Sequence, residues 1–327
     1  MVPVRGPAVL GLLAALLLSP PSLSSQTLQE LAFQCGGAQG GGVEAWCYET
    51  VLAAQAARGG LGLAGSLGSP MPGTASTLGR RLRSFPRISL GLRGGVSRLT
   101  LPGLFHGGDR PRGENTFYVP TAHLSASVGV LNGFFLAPTV GGVFSVDLLG
   151  SASLVSAPRG EGFRDGVTGL GGGVRVGLLR ESFTLPGISV SAMYRSLGRT
   201  GLGRVEEGDP SQARFDVDVT SLRASVGKDL LGLGLLAGMG WERYGGDMAV
   251  LVRDPVSGDQ GGATASDLTS DRVLFFLGGS MTYLILQLSG EVGWAQGFEP
   301  DLPGRPGGDF DPDTRSLFGS LALRITF

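Results

Sequence analysis

From Arg87 to the carboxy terminus the chain alternates, residue by residue, between apolar and small or polar side chains. A period of two puts the two sets on opposite faces of an extended strand, and no helix tolerates it. Ile88, Leu90 and Leu92 oppose Ser89, Gly91 and Arg93; Leu124, Ala126, Val128 and Val130 oppose His123, Ser125, Ser127 and Gly129. Phe144, Val146 and Leu148 oppose Ser145 and Asp147, and Val174, Val176 and Leu178 oppose Arg175 and Gly177. Ile188, Val190, Ala192 and Tyr194 oppose Ser189, Ser191 and Arg195. Phe215, Val217 and Val219 oppose Asp216 and Asp218, after which the register is expected to slip ahead of Arg223. Leu233, Leu235, Ala237, Met239 and Trp241 oppose a glycine-rich face ending in Glu242. Val273, Phe275 and Leu277 form the next stripe, and Leu286, Leu288, Val292 and Trp294 oppose Gln287, Ser289 and Glu291. The last strand carries Leu321, Leu323, Ile325 and Phe327 on one face and Ser320, Ala322, Arg324 and Thr326 on the other.

A water-soluble sandwich produces the same alternation. Three features favour a barrel in lipid. The polar faces carry small residues with isolated charges rather than dense Lys and Glu, in a chain only 16% charged. Tyr194, Trp241, Trp294 and Phe327 fall near the ends of apolar stripes, where an interfacial girdle sits. Connections alternate between short ones (132–138, 181–186, 228–231, 278–283) and long, polar ones (99–118, 151–165, 198–213, 246–270, 297–313). The 58 glycines have no three-residue period and sit inside alternating runs, where curvature and close backbone approach use them. Residues 124–146 and 273–290 are uncharged and long enough for membrane helices. Asn132, Pro138 and Gly141-Gly142 in the first, and Gly278-Gly279 and Gln287 in the second, read better as strand–turn–strand.

The closing strand, with apolar residues at alternate positions and a terminal aromatic, resembles that of bacterial outer-membrane β-barrel proteins. The resemblance covers a general architecture and no one subfamily. It implies that Leu321, Leu323, Ile325 and Phe327 serve as an assembly signal, that the outer-membrane lipid bilayer and the assembly machinery of a Gram-negative cell envelope are partners, and that the chain resides in the outer membrane. The fold expected is all-β: an antiparallel transmembrane β-barrel of about ten strands over residues 87–327. The alternative is about twelve, if 61–86 adds a hairpin.

Residues 1–25 read as a secretory signal peptide: Arg5, an apolar core from Ala8 to Leu18, then Pro20-Pro21 and the small residues Ser22 and Ser24. Residues 26–86 are expected as a periplasmic amino-terminal segment. Its first part is a loop closed by a disulfide between Cys35 and Cys47, the only cysteines of an exported chain. One short helix follows, with Val43, Trp46, Cys47, Thr50, Val51 and Ala54 on one face and Gly59-Gly60 as its stop. The helix is expected to rest under the barrel, a plug entering the lumen being the sharper alternative.

Chemistry is sparse. His106 reads as a solvated loop residue beside Asp109, and His123 as a lumenal hydrogen-bonding residue, although Ser125 shares its face and leaves a membrane hydrolase as the remotest reading. Gly232-Leu233-Gly234 precedes a strand, so it is no dinucleotide loop, and Lys228, the only lysine, lacks the P-loop context. Asp309, Asp311 and Asp313 alternate, but Pro312 and the missing EF-hand glycine and glutamate point to an acidic solvated loop. No metal, cofactor or catalytic residue is expected. A net charge of −1 argues against nucleic acid as a partner. The informative polar set is the expected lumen: Arg93, Asp147, Arg175, Arg195, Asp216, Asp218, Arg223, Glu242, Glu291 and Arg324. Charges in a small bore must pair or be wet. Paired, they fill the lumen of a structural or surface-interaction barrel; wet, they line a narrow porin-like channel for small polar solutes. The filled barrel is the reading taken.

Overall fold

The computed structural model describes residues 27–37, 42–81, 85–105, 111, 113–135, 141–157, 162–164, 166–298 and 310–327. The signal peptide, His106 and Asp309 lie outside the described residues.

Two helices lead the chain, α1 (Leu28–Gly36) and α2 (Gly42–Gly65). A two-residue pair, β1 (Arg80–Arg81) with β2 (Phe85–Pro86), follows. Then come β3 (Ile88–Pro102), β4 (Glu114–Leu131), β5 (Ser145–Val155), β6 (Val167–Leu179), β7 (Gly187–Leu202), β8 (Ser211–Leu230) and β9 (Leu233–Gly245). The chain ends with β10 (Met248–Arg253), β11 (Gln260–Ala265), β12 (Ser270–Tyr283), β13 (Leu286–Ala295) and β14 (Ser316–Thr326).

Strands β3 to β9 and β12 to β14 close into a ten-stranded antiparallel barrel: β3 pairs with β14 and β8 with β9. The hairpin β10–β11 is added to the start of β8, above the point where β9 leaves it. Among the described residues, those of 61–86 contribute no barrel hairpin, so the barrel has ten strands and not twelve.

Closure pairs both edges of all ten barrel strands and so satisfies the backbone in lipid. The outward faces meet lipid along the short-turn half of the barrel. Leu90 and Leu92 on β3, Leu124 on β4, Leu235 and Met239 on β9, Leu288 and Val292 on β13, and Leu321 and Leu323 on β14 are all exposed. The turn residues Leu231, Leu284 and Ile285 are exposed too, which sets that end at the membrane boundary.

A strand needs about 9–11 residues to cross a bilayer. β4 has 18 and β8 has 20, so a large part of each stands clear of the lipid at the long-loop end. There the sides exchange character. Phe215, Val217 and Val219 point inward and are buried, while Asp216 and Asp218 point outward. This corrects the expectation that both aspartates face the lumen. No register slip separates them from Arg223, because β8 alternates without a break and places Ser221, Arg223 and Ser225 on the same inner face as Val219. Above the membrane the outer wall meets water and the inner wall meets protein, so the apolar stripe moves inside.

The protein it meets is the amino-terminal segment. α2 is buried along almost its whole length in a core with Leu99, Val119, Val155, Leu197, Phe215, Val219, Tyr244 and Phe298. The helix expected over 43–57 continues to Gly65, through the glycines read as its stop. They permit close approach. A Cβ on Gly59 would fall 1.9 Å from the Phe298 ring, on Gly60 2.4 Å from Leu99, and on Gly62 2.4 Å from Tyr244. Tertiary packing overrides the helix penalty of about 1 kcal/mol per glycine.

Residues 26–42, expected as loop, contain α1, capped by the Thr27 hydroxyl accepting from the Glu30 N–H at 3.1 Å. Cys35 and Cys47 are joined, their Cα atoms 5.7 Å apart, tying α1 to α2. Replacing both cysteines by serine is expected to cost about 3 kcal/mol, the chain-entropy value for so short a loop. Comparing urea midpoints of the variant and the wild type checks this.

Candidate functional site: the occupied lumen

After α2 the chain runs down the bore as an irregular, turn-containing segment, residues 66–79, and leaves beside the short turns. No charged side chain occurs between Arg58 and Arg80, and small residues dominate. Such a stretch has little to offer a partner except its backbone. The wall is built to take it.

At the upper level Arg223 and Glu242 form an ion pair with both side chains fully buried. Arg223 also donates to the Ser66 carbonyl, and the Ser66 hydroxyl donates to Glu242 Oε1 at 2.7 Å. The Tyr244 hydroxyl donates to the other carboxylate oxygen. One turn lower, Arg93 donates to the carbonyls of Leu67 and, at 2.7 Å, Ser69. Its partner Glu291, 3.3 Å away, accepts from the Ser69 N–H at 2.8 Å. Ser280 and Gln287 donate to the Gly73 carbonyl at 3.1 and 3.2 Å. Arg175 donates to the Thr74 carbonyl at 2.7 Å. Near the exit, Asp147 accepts the Leu78 N–H at 3.1 and 3.0 Å to its two oxygens. The Asn132 side chain accepts the Arg80 N–H.

The wall divides the work by charge and polarity: arginines, with Ser280 and Gln287, take the segment's carbonyls, and the carboxylates of Glu291 and Asp147 take its N–H groups. An irregular segment inside a barrel has no ladder of its own to satisfy its backbone, and a buried unpaired backbone group costs about 1–3 kcal/mol. The lumenal charges therefore complete the segment's hydrogen bonding as well as pairing with each other.

Arg93, Asp147, Arg175, Arg195, Arg223, Glu242 and Glu291 are all buried on the lumen side. Arg195 does not touch the segment; it donates to Ser221 Oγ at 3.0 Å. Arg324 is half-buried on the same side, its Nε and Nη1 without a partner. Asp216 stands outside, held by Arg199 through bonds of 2.8 and 2.9 Å, and Asp218 lies outside beside Tyr194.

His123 and Ser125 do not form a dyad. His123 Nε2 is 2.7 Å from the Thr121 hydroxyl, and the Ser125 hydroxyl donates to the Gly91 carbonyl at 3.3 Å. Asp311 accepts the Asp313 N–H at 3.0 Å within a local turn.

Sequence reasoning missed Tyr244, Ser280 and Asn132 on the wall, and two buried arginines besides. Arg58, buried on α2, donates to the Gly246 and Leu268 carbonyls; burial pushes its guanidinium down to about 10, which leaves it charged at neutral pH. Arg272 donates to the Gln296 carbonyl at 2.6 Å and lies over the Phe298 ring. The available signal for the segment itself was the uncharged, small-residue run between Arg58 and Arg80.

A closed antiparallel barrel of ten strands, with an apolar belt outside and a polar lumen, is the fold of a transmembrane β-barrel. No family model and no curated protein matches the barrel's sequence. Solved structures similar to it include Neisserial surface protein A, at 10% identity, covering 73% of this chain and 97% of that one, with a TM-score of 0.29. The transport unit of the autotransporter AIDA-I from Escherichia coli is 11% identical over 84% of this chain and 99% of that chain (TM-score 0.36). The outer-membrane protease OmpT from Escherichia coli is 11% identical over 74% and 96% (TM-score 0.34).

Proposed function

We propose that the protein is a plugged barrel of the surface-interaction type, whose lumen is shut by its own residues 66–79 and whose binding surface is the long-loop end. One observation carries this reading: the segment crosses the bore from Ser66 to Gly79 with its backbone bonded to the wall at successive levels. A solute path and that segment compete for one space.

Short turns face the periplasm and long loops the exterior in barrels of this kind. On that orientation, α1, the start of α2 and β10–β11 stand at the cell surface rather than in the periplasm. The amino-terminal module and the long loops then make one folded platform above the membrane, with a core like that of a soluble domain.

Two measurements test the reading. Purified wild-type protein in planar bilayers is expected to stay electrically silent; stepwise conductance would return the narrow-channel alternative. An epitope placed ahead of Thr27 is expected to stain intact cells. Staining only after permeabilisation would put the module in the periplasm and overturn the platform.

A further inference from the structure

At the long-loop end a cleft of about 550 Å³ opens between the first turn of α2 and the β10–β11 turn. That volume lies within the range of sites for small organic molecules. Trp46, Leu104 and Val205 are buried in its wall, with Phe105, Pro210 and Pro255 beside them. Four separate parts of the chain meet here, so the cleft exists only in the folded protein.

Its polar groups are unevenly used. The Asp254 carboxylate already accepts the Val256 N–H at 3.0 Å and the Ser257 hydroxyl at 2.9 Å, and Asp209 accepts the Arg204 N–H at 2.7 Å. The Arg253 guanidinium is exposed at the cleft, and the Trp46 indole N–H, shut off from solvent, meets no acceptor. An unsatisfied buried donor rewards any acceptor brought to it, and a guanidinium pairs best with a carboxylate. Apolar walls with an exposed guanidinium beside them define the complementary ligand.

We propose that this cleft binds a small molecule with an apolar, preferably aromatic, body and one carboxylate, the body against Trp46, Leu104 and Phe105 and the carboxylate at Arg253. The site's access to the medium rests on the surface orientation proposed above; its affinity does not.

Titrating the full chain in detergent with 2-naphthoate, followed by probe fluorescence polarisation, tests it. One-site saturable binding is expected, with 2-naphthylmethanol, which lacks the charge, bound roughly tenfold more weakly. Arg253→Gln is expected to bring naphthoate to the alcohol's level while leaving the alcohol unchanged, and Trp46→Phe to weaken both. Arg315→Gln, outside the cleft, serves as the control. Equal affinity for acid and alcohol, an Arg253→Gln variant that binds like wild type, or partition into protein-free micelles alone would each overturn the proposal. Because Arg253 is exposed and Arg253→Gln removes no core contact, an unchanged unboiled-gel mobility separates lost binding from lost fold.

Discussion

Glu242→Leu is expected to destabilise the folded barrel by about 3–5 kcal/mol, the cost of stranding one member of a buried ion pair. Arg223 would keep a full charge with no carboxylate beside it, in a place where neither side chain of the pair has solvent access. The Ser66 and Tyr244 hydroxyls would lose their acceptor at the same stroke. The double variant Arg223→Leu/Glu242→Leu is expected to recover part of the loss, since apolar replacement of a whole buried pair is often near neutral. It will not recover all, because the stranded hydroxyls and the Ser66 carbonyl still cost about 1–3 kcal/mol each. Urea unfolding, read from the mobility of unboiled samples, measures both. A single variant as stable as wild type would mean that water, not Arg223, solvates Glu242.

Gly68→Val is expected to unseat the lumenal segment. Gly68 has φ +64, a left-handed conformation, and a Cβ there would fall 2.0 Å from Glu291 Oε2 and 2.9 Å from Arg93 Nη1. A β-branched residue at positive φ is strained by about 1–3 kcal/mol, and its bulk also drives apart the clamp that holds Leu67 and Ser69. The expected result is a barrel that still forms but conducts in planar bilayers, with stability lowered by roughly 3 kcal/mol. Gly94→Val is the contrast. Gly94 faces outward with nothing within 4 Å of its Cβ position, so this variant should stay silent and close to wild type in stability. If Gly68→Val is also silent, the segment is not what shuts the bore.

The two substitutions bear on different parts of the reading. Glu242→Leu tests whether the lumenal charges hold the plug, and Gly68→Val whether the plug closes the pore. A stable, silent Gly68→Val barrel would leave the platform at the long-loop end untouched while removing residues 66–79 as what closes the lumen. The two layers are separable because α2 is held by apolar packing above the membrane, and residues 66–79 are held below it by polar bonds.

Much of the barrel was legible because period two is local. Each stave from Ile88 to Phe327 shows its faces within a handful of residues, and lipid outside the lower half makes the apolar face the outer one. Arg93, Asp147, Arg175, Arg223 and Glu291 could be placed inside for that reason. Asp216 and Asp218 could not: the alternation of β8 is intact, but it does not say which face is wet. Gly59-Gly60 misled for a related reason. A glycine pair ends a helix in water, yet inside a barrel it lets Phe298 and Leu99 close on the helix axis.

The sequence by itself pointed to about ten antiparallel strands, with twelve left open, to their closure and to the polar character of the lower lumen, because hydrogen-bond closure in lipid and side-chain alternation depend only on strand geometry and the surrounding solvent. Only the tertiary structure decided where residues 42–79 lie and which way the upper wall faces. Whether Val219 points in and Asp218 out depends on what fills the bore, and that occupant, a chain of small uncharged residues, is recognised through its backbone, which every sequence shares.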